Sequence, residues 1–206
     1  MDKRAKFWDK VANKYSLQAI ADLPSYEHKL KTTRAYLSPE TTVLEIGCGT
    51  GSTAITHAPF VKHYRAIDIS ANMIAIANCK IGESFKDKLT FEQCSIDELK
   101  VSEPVDMVLA LSLLHLVENK DETMAKIYQW LKPGGVFISS TLCIADSKKW
   151  LKPIASLGYL LGLFPLLRVF TTTELKQSLV TQGFEIEYEW KPDSGMSVFI
   201  VARKPL

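Results

Sequence analysis

The sequence predicts an α/β fold in which a doubly wound, mostly parallel sheet of seven strands lies between two layers of helices. Two observations indicate this. Short apolar strand-like runs alternate with helix-periodic segments as far as residue 141, which favours parallel βαβ units. Two further strand-like runs, 185–190 and 197–202, then follow one another across a short turn region, which predicts a C-terminal antiparallel hairpin. At 206 residues, the chain is long enough for one well-buried domain, and we expect a single domain over 1–206.

The composition bears on the partners and the cellular compartment of the protein. The net charge is +2 and no dense Lys/Arg run occurs, so nothing predicts a nucleic-acid partner. The four cysteines form no C-x-x-C pair, which favours free thiols in a reducing compartment over disulfides or a metal site. The N-terminal stretch MDKRAKFWDK lacks the apolar core of a signal peptide. We therefore expect a cytoplasmic protein without a bound metal.

Two helices are predicted before the first strand. Phe7, Val11 and Tyr15 recur at i, i+4 and i+8, which is the pattern of an amphipathic helix over residues 3–18. A second helix is predicted over about 25–37. The segment 1–38 therefore forms a helical region outside the nucleotide-binding core that follows.

A glycine-rich turn follows the first predicted strand. Residues 43–46 form a short buried strand, and Gly47, Gly49 and Gly51 come directly after it. A backbone that bends sharply beside a ligand needs glycine, because a Cβ would block the close approach. The free amides at the start of the next helix add hydrogen-bond donors and a positive dipole end. The segment therefore predicts a nucleotide-type pocket at the carboxyl end of the first strand.

The spacing of the glycines indicates which nucleotide. A dinucleotide fingerprint reads G-x-G-x-x-G, whereas this chain reads E-x-G-x-G-x-G, with Glu45 two residues before Gly47. An acid so close to the loop would repel a pyrophosphate, and it suits a ligand with a positive charge, such as an amino-acid ammonium. The spacing therefore opposes a nicotinamide-dependent reductase. The stretch resembles motif I of the class I S-adenosylmethionine (SAM) dependent methyltransferases, which have a Rossmann-like, three-layer αβα fold.

This resemblance implies a set of residues around the methionine half of SAM. The first two helices are similar to the N-terminal cap of many small-molecule methyltransferases, which often reaches the carboxylate end of the cofactor. On that basis the predicted contacts are Glu45, Gly47, Gly49 and Gly51, with backbone groups of Cys48 and Thr50, and more weakly Tyr15, Tyr26 and Lys29.

The second predicted strand ends in an acid. Residues 63–68 end at Asp68, and an acid there can accept hydrogen bonds from both ribose hydroxyls of an adenosine ligand. Ser70 is then a helix N-cap. The segment 68–73 resembles the second motif of the same family, which implies that Asp68 holds the ribose and that Ile69 and Met73 flank the adenine.

The loop after the third predicted strand, 89–93, departs from the family pattern. The family usually reads G-D-A-x-x-L there, whereas Cys94 and Ser95 stand in place of Gly and Asp. Either Ser95 accepts the adenine amino hydrogen bond more weakly, with Ile96 at the ring edge, or Asp97 reaches in from two residues further on. We favour Ser95 and Ile96.

The fourth predicted strand, 105–111, is apolar enough to be buried on both faces. The resemblance implies that Ala110, Leu111 and Ser112 lie along the methionine tail. Asn-Pro-Pro-Tyr or Asp-Pro-Pro-Tyr at this place would indicate methylation of an amino group in DNA or protein, and neither is present, which favours a small-molecule acceptor. His115 is the candidate general base, since imidazole titrates near neutrality, although a packing role is the alternative.

The last part of the chain carries an unusual insertion. After a helix over 121–132 and a strand over 136–141, the segment 147–170 is largely apolar, with glycines and Pro165 that break it. Three interpretations stay open: a lid helix packed on the domain, an apolar wall for a hydrophobic acceptor, or a transient membrane contact. The segment is too short and interrupted for stable membrane insertion. The core is therefore 42–146, and 171–206 supplies a helix, opened by Thr171 or Thr172 and Glu174, and the hairpin.

The resemblance implies transfer of a methyl group from SAM to a small acceptor by in-line displacement, with S-adenosylhomocysteine (SAH) as the product. The apolar insertion favours a hydrophobic acceptor. The alternative is a SAM-binding protein without catalysis that acts as a partner or regulator, which the changed loop at Cys94 and Ser95 would suit. The acceptor's identity and the oligomeric state do not follow from the sequence.

Overall fold

In the computed structural model, the chain divides into two units, Met1–Lys100 and Val101–Leu206. The structure describes residues 2–82, 85–148, 150, 158–159, 164–192 and 195–206. The expected layout of one domain over the whole chain stays a prediction.

The first unit begins with two capped helices. Helix α1 covers Lys3–Ser16, and the Asp2 carboxylate accepts a hydrogen bond from the Arg4 amide at its start. Helix α2 covers Leu23–Arg34, and Asp22 caps it by accepting from the Ser25 amide at 3.0 Å. A carboxylate that caps free amides also complements the positive end of the helix dipole, which explains why each helix begins where it does.

Three parallel strands form the sheet of the first unit. Strands β1 (Thr42–Ile46), β2 (His63–Asp68) and β3 (Leu89–Gln93) lie in the order β3-β2-β1. Helix α3 (Ser52–His57), a short 3-10 helix (Ala58–Phe60) and helix α4 (Ala71–Cys79) complete the unit. Because parallel strands all point the same way, the glycine loop after β1, Asp68 at the end of β2 and the 94–99 loop after β3 meet at one edge of the sheet.

The second unit contains a mixed sheet. Strand β4 (Val105–Leu111) pairs in parallel with β5 (Leu131–Leu142), while β7 (Ser197–Arg203) lies antiparallel to both β5 and β6 (Glu185–Trp190). Its described helices include α5 (Lys120–Trp130), α6 (Ala145–Lys148) and α7 (Thr172–Thr181). The predicted C-terminal hairpin is confirmed.

The described residues contain seven strands, three in the first unit, in the order β3-β2-β1, and four in the second, in the order β4-β5-β7-β6. The predicted fold class, mostly parallel with an antiparallel C-terminal pair, is therefore confirmed. The predicted caps are also present. Ser70 Oγ accepts from the Met73 amide at 3.1 Å at the start of α4, and Thr171 and Glu174 form a reciprocal capping box at the start of α7.

Much of the apolar insertion, including 151–157 and 160–163, lies outside the described residues. The three interpretations of the insertion concern these residues and stay predictions. Of the neighbouring described residues, Leu166 and Phe170 are buried, whereas Trp150 and Phe164 are exposed. Among the described residues no helix combines the length and the apolar character needed to cross a membrane. The same residues contain no group of three or more His, Cys, Asp or Glu side chains arranged to hold a metal ion.

Candidate functional site: a glycine loop and an aspartate at the ends of β1 and β2

The loop between β1 and α3 adopts a left-handed backbone at each of its glycines. The φ angles are +70° at Gly47, +54° at Gly49 and +76° at Gly51. The loop is closed by the Gly51 amide, which donates to the Cys48 carbonyl at 3.0 Å, and it is tied to β2 by the Cys48 amide, which donates to the Ile67 carbonyl at 2.9 Å. Left-handed φ values cost an L-residue about 1–2 kcal/mol each, so the sequence needs glycine here.

Two of these glycines face different surroundings. A Cβ added at Gly51 would lie 2.4 Å from the Phe91 ring and 2.9 Å from the Ala77 Cβ, so this glycine lets the loop pack onto the interior. Among the residues that the structure describes, a Cβ at Gly49 would meet only the ring edge of Tyr15, at 4.0 Å. Gly49 therefore lies on a side of the loop where an incoming ligand can approach the backbone.

The carboxylate of Asp68 is held by backbone amides. Oδ2 accepts from the Gly49 amide at 2.9 Å, and Oδ1 accepts from the Ser70 amide at 2.9 Å. Burial raises the pKa of Asp68, while these hydrogen bonds act in the opposite direction. The Ile69 amide also hydrogen-bonds to the carboxylate, and the two oxygens of a carboxylate together can accept about four hydrogen bonds. The carboxylate is therefore oriented by backbone amides and keeps acceptor capacity for a ligand hydroxyl.

Glu45 lies in the interior beneath the loop. Its side chain is 2% exposed, and Oε2 accepts a hydrogen bond from the Tyr64 hydroxyl at 2.8 Å. Burial raises the pKa of Glu45 to about 8, the hydrogen bond from Tyr64 opposes this rise, and the charge of Asp68 adds to it. Its neighbour Cys48 is also buried, and burial together with the charges of Glu45 and Asp68 raises the pKa of that thiol well above its usual value. The backbone of Thr50 is engaged too, since its carbonyl accepts from Lys80 Nζ at 2.9 Å.

The aromatic residues predicted from the N-terminal helices lie near this loop. Tyr15 is half-exposed and packs edge-on against Trp8, with the ring centroids 6.4 Å apart. Burial raises the pKa of the Tyr15 phenol, and the charges of Asp68 and Tyr26 raise it further. Lys29 is half-buried, and burial lowers its pKa while Asp22 opposes the change. The structure thus brings Tyr15 and Tyr26 to the surroundings of Asp68.

The residues predicted to contact the adenine differ in their burial and in their hydrogen-bond partners. Ile69 and Ile96 are half-buried, whereas Met73 is 2% exposed and faces the interior from α4. The Ser95 hydroxyl donates to Glu98 Oε2 at 2.7 Å and accepts from the Glu98 amide at 3.2 Å, so it closes a local turn. The alternative residue, Asp97, is exposed and lies 3.9 Å from the Arg4 guanidinium. The choice between Ser95 and Asp97 stays a prediction.

The remaining predicted residues belong to the second unit and follow β4. Ala110 is fully buried, Leu111 is half-buried and Ser112 is exposed. Ser112 has a φ of +58°, which is uncommon for a residue other than glycine, and its amide donates to the Ser140 carbonyl at 2.7 Å. Backbone strain of this kind often marks a functional segment.

His115 is 3% exposed, and burial lowers its pKa to about 4. Its Nδ1 faces the Leu142 amide at 3.4 Å, and its carbonyl accepts from the Arg168 amide at 2.8 Å. When Nδ1 accepts, the neutral ring carries its proton on Nε2, which leaves no free lone pair for a general base. The catalytic role of His115 stays a prediction that this geometry does not favour.

A model of the methyltransferase domain matches residues 37–182, which is 146 of the 206 residues. The chain belongs to the methyltransferase domain family. The predicted resemblance is therefore confirmed, and the match includes both the glycine loop and Asp68.

Curated relatives of this methyltransferase domain include enzymes that are named for different acceptors. A malonyl-[acyl-carrier protein] O-methyltransferase of Priestia megaterium is 31% identical over 60% of this chain and 46% of its own length. A phosphoethanolamine N-methyltransferase of Plasmodium falciparum is 30% identical over 55% of this chain and 44% of its own length. A ubiquinone biosynthesis O-methyltransferase of Rickettsia canadensis is 29% identical over 70% of this chain and 63% of its own length. The matched part of the chain thus spans less than two thirds of the length of these relatives.

Solved structures agree with the fold. The N-methyltransferase NodS of Bradyrhizobium japonicum, in complex with SAH, superposes with a TM-score of 0.75 at 16% identity and covers all of both chains. The magnesium protoporphyrin IX methyltransferase of Synechocystis, with bound SAH, has a TM-score of 0.74 at 18% identity over 98% of this chain and all of that chain. At this level of identity the comparison shows that the methyltransferase domain has the fold of these proteins.

Two residues of the site surroundings were missed by the sequence analysis. Tyr64 reaches Glu45 from the neighbouring strand, and Asp9 of α1 accepts from the Ser70 hydroxyl at 2.6 Å and from the Asn72 amide at 3.0 Å. An acid on the polar side of an amphipathic helix looks solvated in the sequence, so nothing pointed to Asp9. A tyrosine in a buried strand is a weak signal, because its hydroxyl needs a partner, but the partner follows only from the strand register.

Proposed function

We propose that this chain is a SAM-dependent methyltransferase whose acceptor is a small molecule. The observation that carries the proposal is the Asp68 carboxylate, which is oriented by the Gly49 amide at 2.9 Å beside a loop of left-handed glycines. Membership of the methyltransferase domain family supports the same function. An acid at the end of the second strand next to a glycine turn after the first suits an adenosine ligand.

The residues at this edge of the first unit fit SAM. Asp68 has acceptor capacity for a ribose hydroxyl, and the open side of Gly49 admits a ligand to the backbone, with the Tyr15 ring edge next to it. Glu45 is an acid beneath the same loop, which suits the ammonium of the methionine part. When bound, SAM supplies a methyl group on a positively charged sulfonium that is already activated for displacement.

The chain's own task is then positional. Methyl transfer of this type needs the acceptor aligned with the methyl group and water excluded, and correct positioning alone accounts for large rate enhancements. Asp68 and the glycine loop would orient the nucleoside, and Tyr15 and Tyr26 would cover it from the N-terminal helices. A nucleophilic residue is not required, which agrees with a neutral, buried His115.

The acceptor is proposed only as a class. The relatives are named as O- and N-methyltransferases of dissimilar molecules, so they do not indicate one acceptor atom. The apolar composition of 154–170 supports a hydrophobic acceptor. Deletion of 154–167 would leave the affinity for apolar acceptors unchanged if this part of the proposal were wrong.

The cellular compartment of the protein and its lack of a nucleic-acid partner are also proposals. The four cysteines are free in the structure, which supports a reducing compartment, and we propose the cytoplasm. The sequence contains no dense Lys/Arg run, and we propose that the protein has no nucleic-acid partner.

The test is calorimetric titration of the purified protein with SAM, followed by measurement of SAH release with a panel of small O- and N-acceptors. We expect Asp68→Ala to weaken SAM binding at least tenfold, because a charge-assisted contact to the ribose is lost. The exposed Asp87→Ala is the matched control and should bind like the wild type. Circular dichroism would verify that both variants fold. Binding without turnover on any acceptor would favour the non-catalytic alternative, and no binding by the wild type would contradict the proposal.

A further inference from the structure

The buried pair of Glu45 and Tyr64 connects the first two strands beneath the glycine loop. The Tyr64 hydroxyl donates to Glu45 Oε2 at 2.8 Å, and the two side chains are 0% and 2% exposed respectively. In the parallel register Glu45 lies opposite Ala66 and Tyr64 lies opposite Val43, so the phenol reaches diagonally across the strand pair. Neither side chain can gain this hydrogen bond from water, so each depends on the other.

The position of Glu45 gives the pair a consequence for ligand binding. The carboxyl lies two residues before Gly47, the first glycine of the loop. A buried carboxyl is stable as the neutral acid, because burial penalises its charged form. A ligand that brings an ammonium group to the loop changes this balance, since the ammonium stabilises the carboxylate and the proton must then leave.

Other titratable groups face the same region. The charge of Asp68 raises the pKa of Glu45, and the charge of Glu45 raises the pKa of Cys48. The charge of Tyr26 in α2 raises the pKa of Tyr64. Burial raises the pKa of both Cys48 and Tyr64 well above their usual values, so both keep their protons near neutral pH. Glu45, with a pKa raised to about 8, holds a proton at pH 7 and can release it when an ammonium group comes close.

We propose that Tyr64 is a positioning residue for Glu45, and that an ammonium-bearing ligand binds with release of one proton from the Glu45 carboxyl to solvent. The inference rests on the proposed function, since it assigns Glu45 to the amino-acid end of SAM. The balance is simple: the carboxylic acid loses its proton to buffer, the carboxylate pairs with the ligand's ammonium, and the Tyr64 hydroxyl continues to donate to the same carboxylate.

The test compares two ligands by calorimetry at pH 7, each in two buffers with different ionisation enthalpies. SAH carries the α-ammonium, whereas 5′-methylthioadenosine has the same thioether nucleoside without it. Because burial keeps the Glu45 carboxyl in its neutral form at pH 7, we expect SAH binding to release close to one proton. Binding of 5′-methylthioadenosine should release close to none.

Two variants then separate a positioning role from a structural one. Tyr64→Phe removes a hydrogen bond that favours the carboxylate form of Glu45, so the pH dependence of SAH affinity should move to higher pH. We expect SAH to bind about tenfold more weakly at pH 7 and the affinity to recover near pH 9. Glu45→Gln keeps the shape and abolishes the proton release. In both variants the affinity for 5′-methylthioadenosine should stay within about twofold of the wild type, because that ligand does not reach the carboxyl.

The outcomes are distinguishable. SAH binding without proton release, or equal release with both ligands, would overturn the inference and leave the proposed function intact. Equal loss of affinity for both ligands in Tyr64→Phe, with no movement of the pH dependence, would reduce Tyr64 to a structural residue. Failure of the wild type to bind either ligand would overturn the proposed function and this inference with it.

Discussion

The carboxylate of Asp9 in α1 accepts a hydrogen bond from the Ser70 hydroxyl at 2.6 Å, although the two residues are 61 positions apart in the chain. Ser70 is also the N-cap of α4 and donates its backbone amide to Asp68. Asn72 strengthens the link, since its amide donates to the Asp9 carboxylate and its side chain donates to the Asp9 carbonyl. One acid therefore attaches the N-terminal helix to the strand end that carries Asp68.

Replacement of Asp9 by alanine is expected to detach α1 from the start of α4. Two hydrogen bonds to a charged, partly buried carboxylate are lost, which should lower the free energy of unfolding by about 2 kcal/mol. Urea denaturation measures this change, and amide exchange should become faster across Lys3–Ser16. The exposed neighbour Lys10→Ala is the control. Equal exchange rates in α1 for both variants would contradict the role of Asp9.

Gly49 and Gly51, which have different surroundings, should respond differently to replacement by alanine. Gly51→Ala places a Cβ 2.4 Å from the Phe91 ring at a φ of +76°, so we expect a loss of stability of about 3 kcal/mol. Gly49→Ala meets no atom closer than 4.0 Å, so its cost should be the backbone strain of about 1 kcal/mol, accompanied by loss of SAH binding. Thermal unfolding and calorimetry measure the two effects.

The clash at Gly51 can be tested independently. In the double variant Gly51→Ala, Phe91→Leu, the smaller side chain leaves room for the new Cβ, so the double variant should be more stable than the sum of the single changes predicts. Additive effects would indicate that the strain lies in the backbone and not in the contact with Phe91.

The buried histidines should titrate well below the usual range. Burial lowers the pKa of His57 and His115 to about 4 each, and the charge of Arg34 adds to this at His57. A histidine in the unfolded chain has a pKa near 6.5, so the unfolded state binds more protons between pH 4 and 6.5. The stability from both groups is therefore fully present above pH 6.5 and is lost as the pH falls towards 4, by about 3 kcal/mol for each histidine.

The titration is measured at the imidazole rings by proton NMR and not through the free energy of unfolding. Glu45, with its raised pKa of about 8, lowers that free energy as the pH rises from about 4.5 to 8, which is opposite to the effect of the histidines. The exposed His63 is the internal control, and it is replaced by glutamine to assign its signal. A titration midpoint near 6.5 for His115 would contradict its burial and would restore its case as a general base.

Lys204 should contribute more to stability than a surface lysine does. Its Nζ donates to the Tyr128 and Leu131 carbonyls at 2.8 and 2.7 Å at the end of α5, where a cation also complements the helix dipole. We expect Lys204→Met to lower the free energy of unfolding by about 2 kcal/mol. The control Lys176→Met breaks a surface pair with Glu189 and should cost less than about 1 kcal/mol. Similar losses in the two variants would contradict this argument.

The sequence predicted the strands, the glycine loop and the order of the motifs, because these follow from local patterns. Apolar runs bounded by turn residues define β1 to β4, and glycine at positions 47, 49 and 51 is confirmed by left-handed φ angles at each. The capping box of Thr171 and Glu174 was predictable for the same reason, since both partners lie within three residues.

The sequence could not predict how the polar groups of the site engage one another. Ser95 stands where the family has an aspartate, yet its hydroxyl bonds to Glu98 within its own turn. His115 has the residue type of a base, but burial among other elements gives it a pKa of about 4. Side-chain type indicates what a group can do, whereas burial and hydrogen-bond partners determine its protonation state.

The sequence by itself determined the fold class, the loop that resembles motif I and the acid at the end of β2. Only the tertiary structure decided that Tyr64 donates to Glu45 and that Asp9 reaches Ser70. The physical reason is the range of the forces involved. Backbone conformation and capping depend on neighbours a few residues apart, while a buried hydrogen bond forms wherever the register of strands and the docking of helices bring two polar groups together.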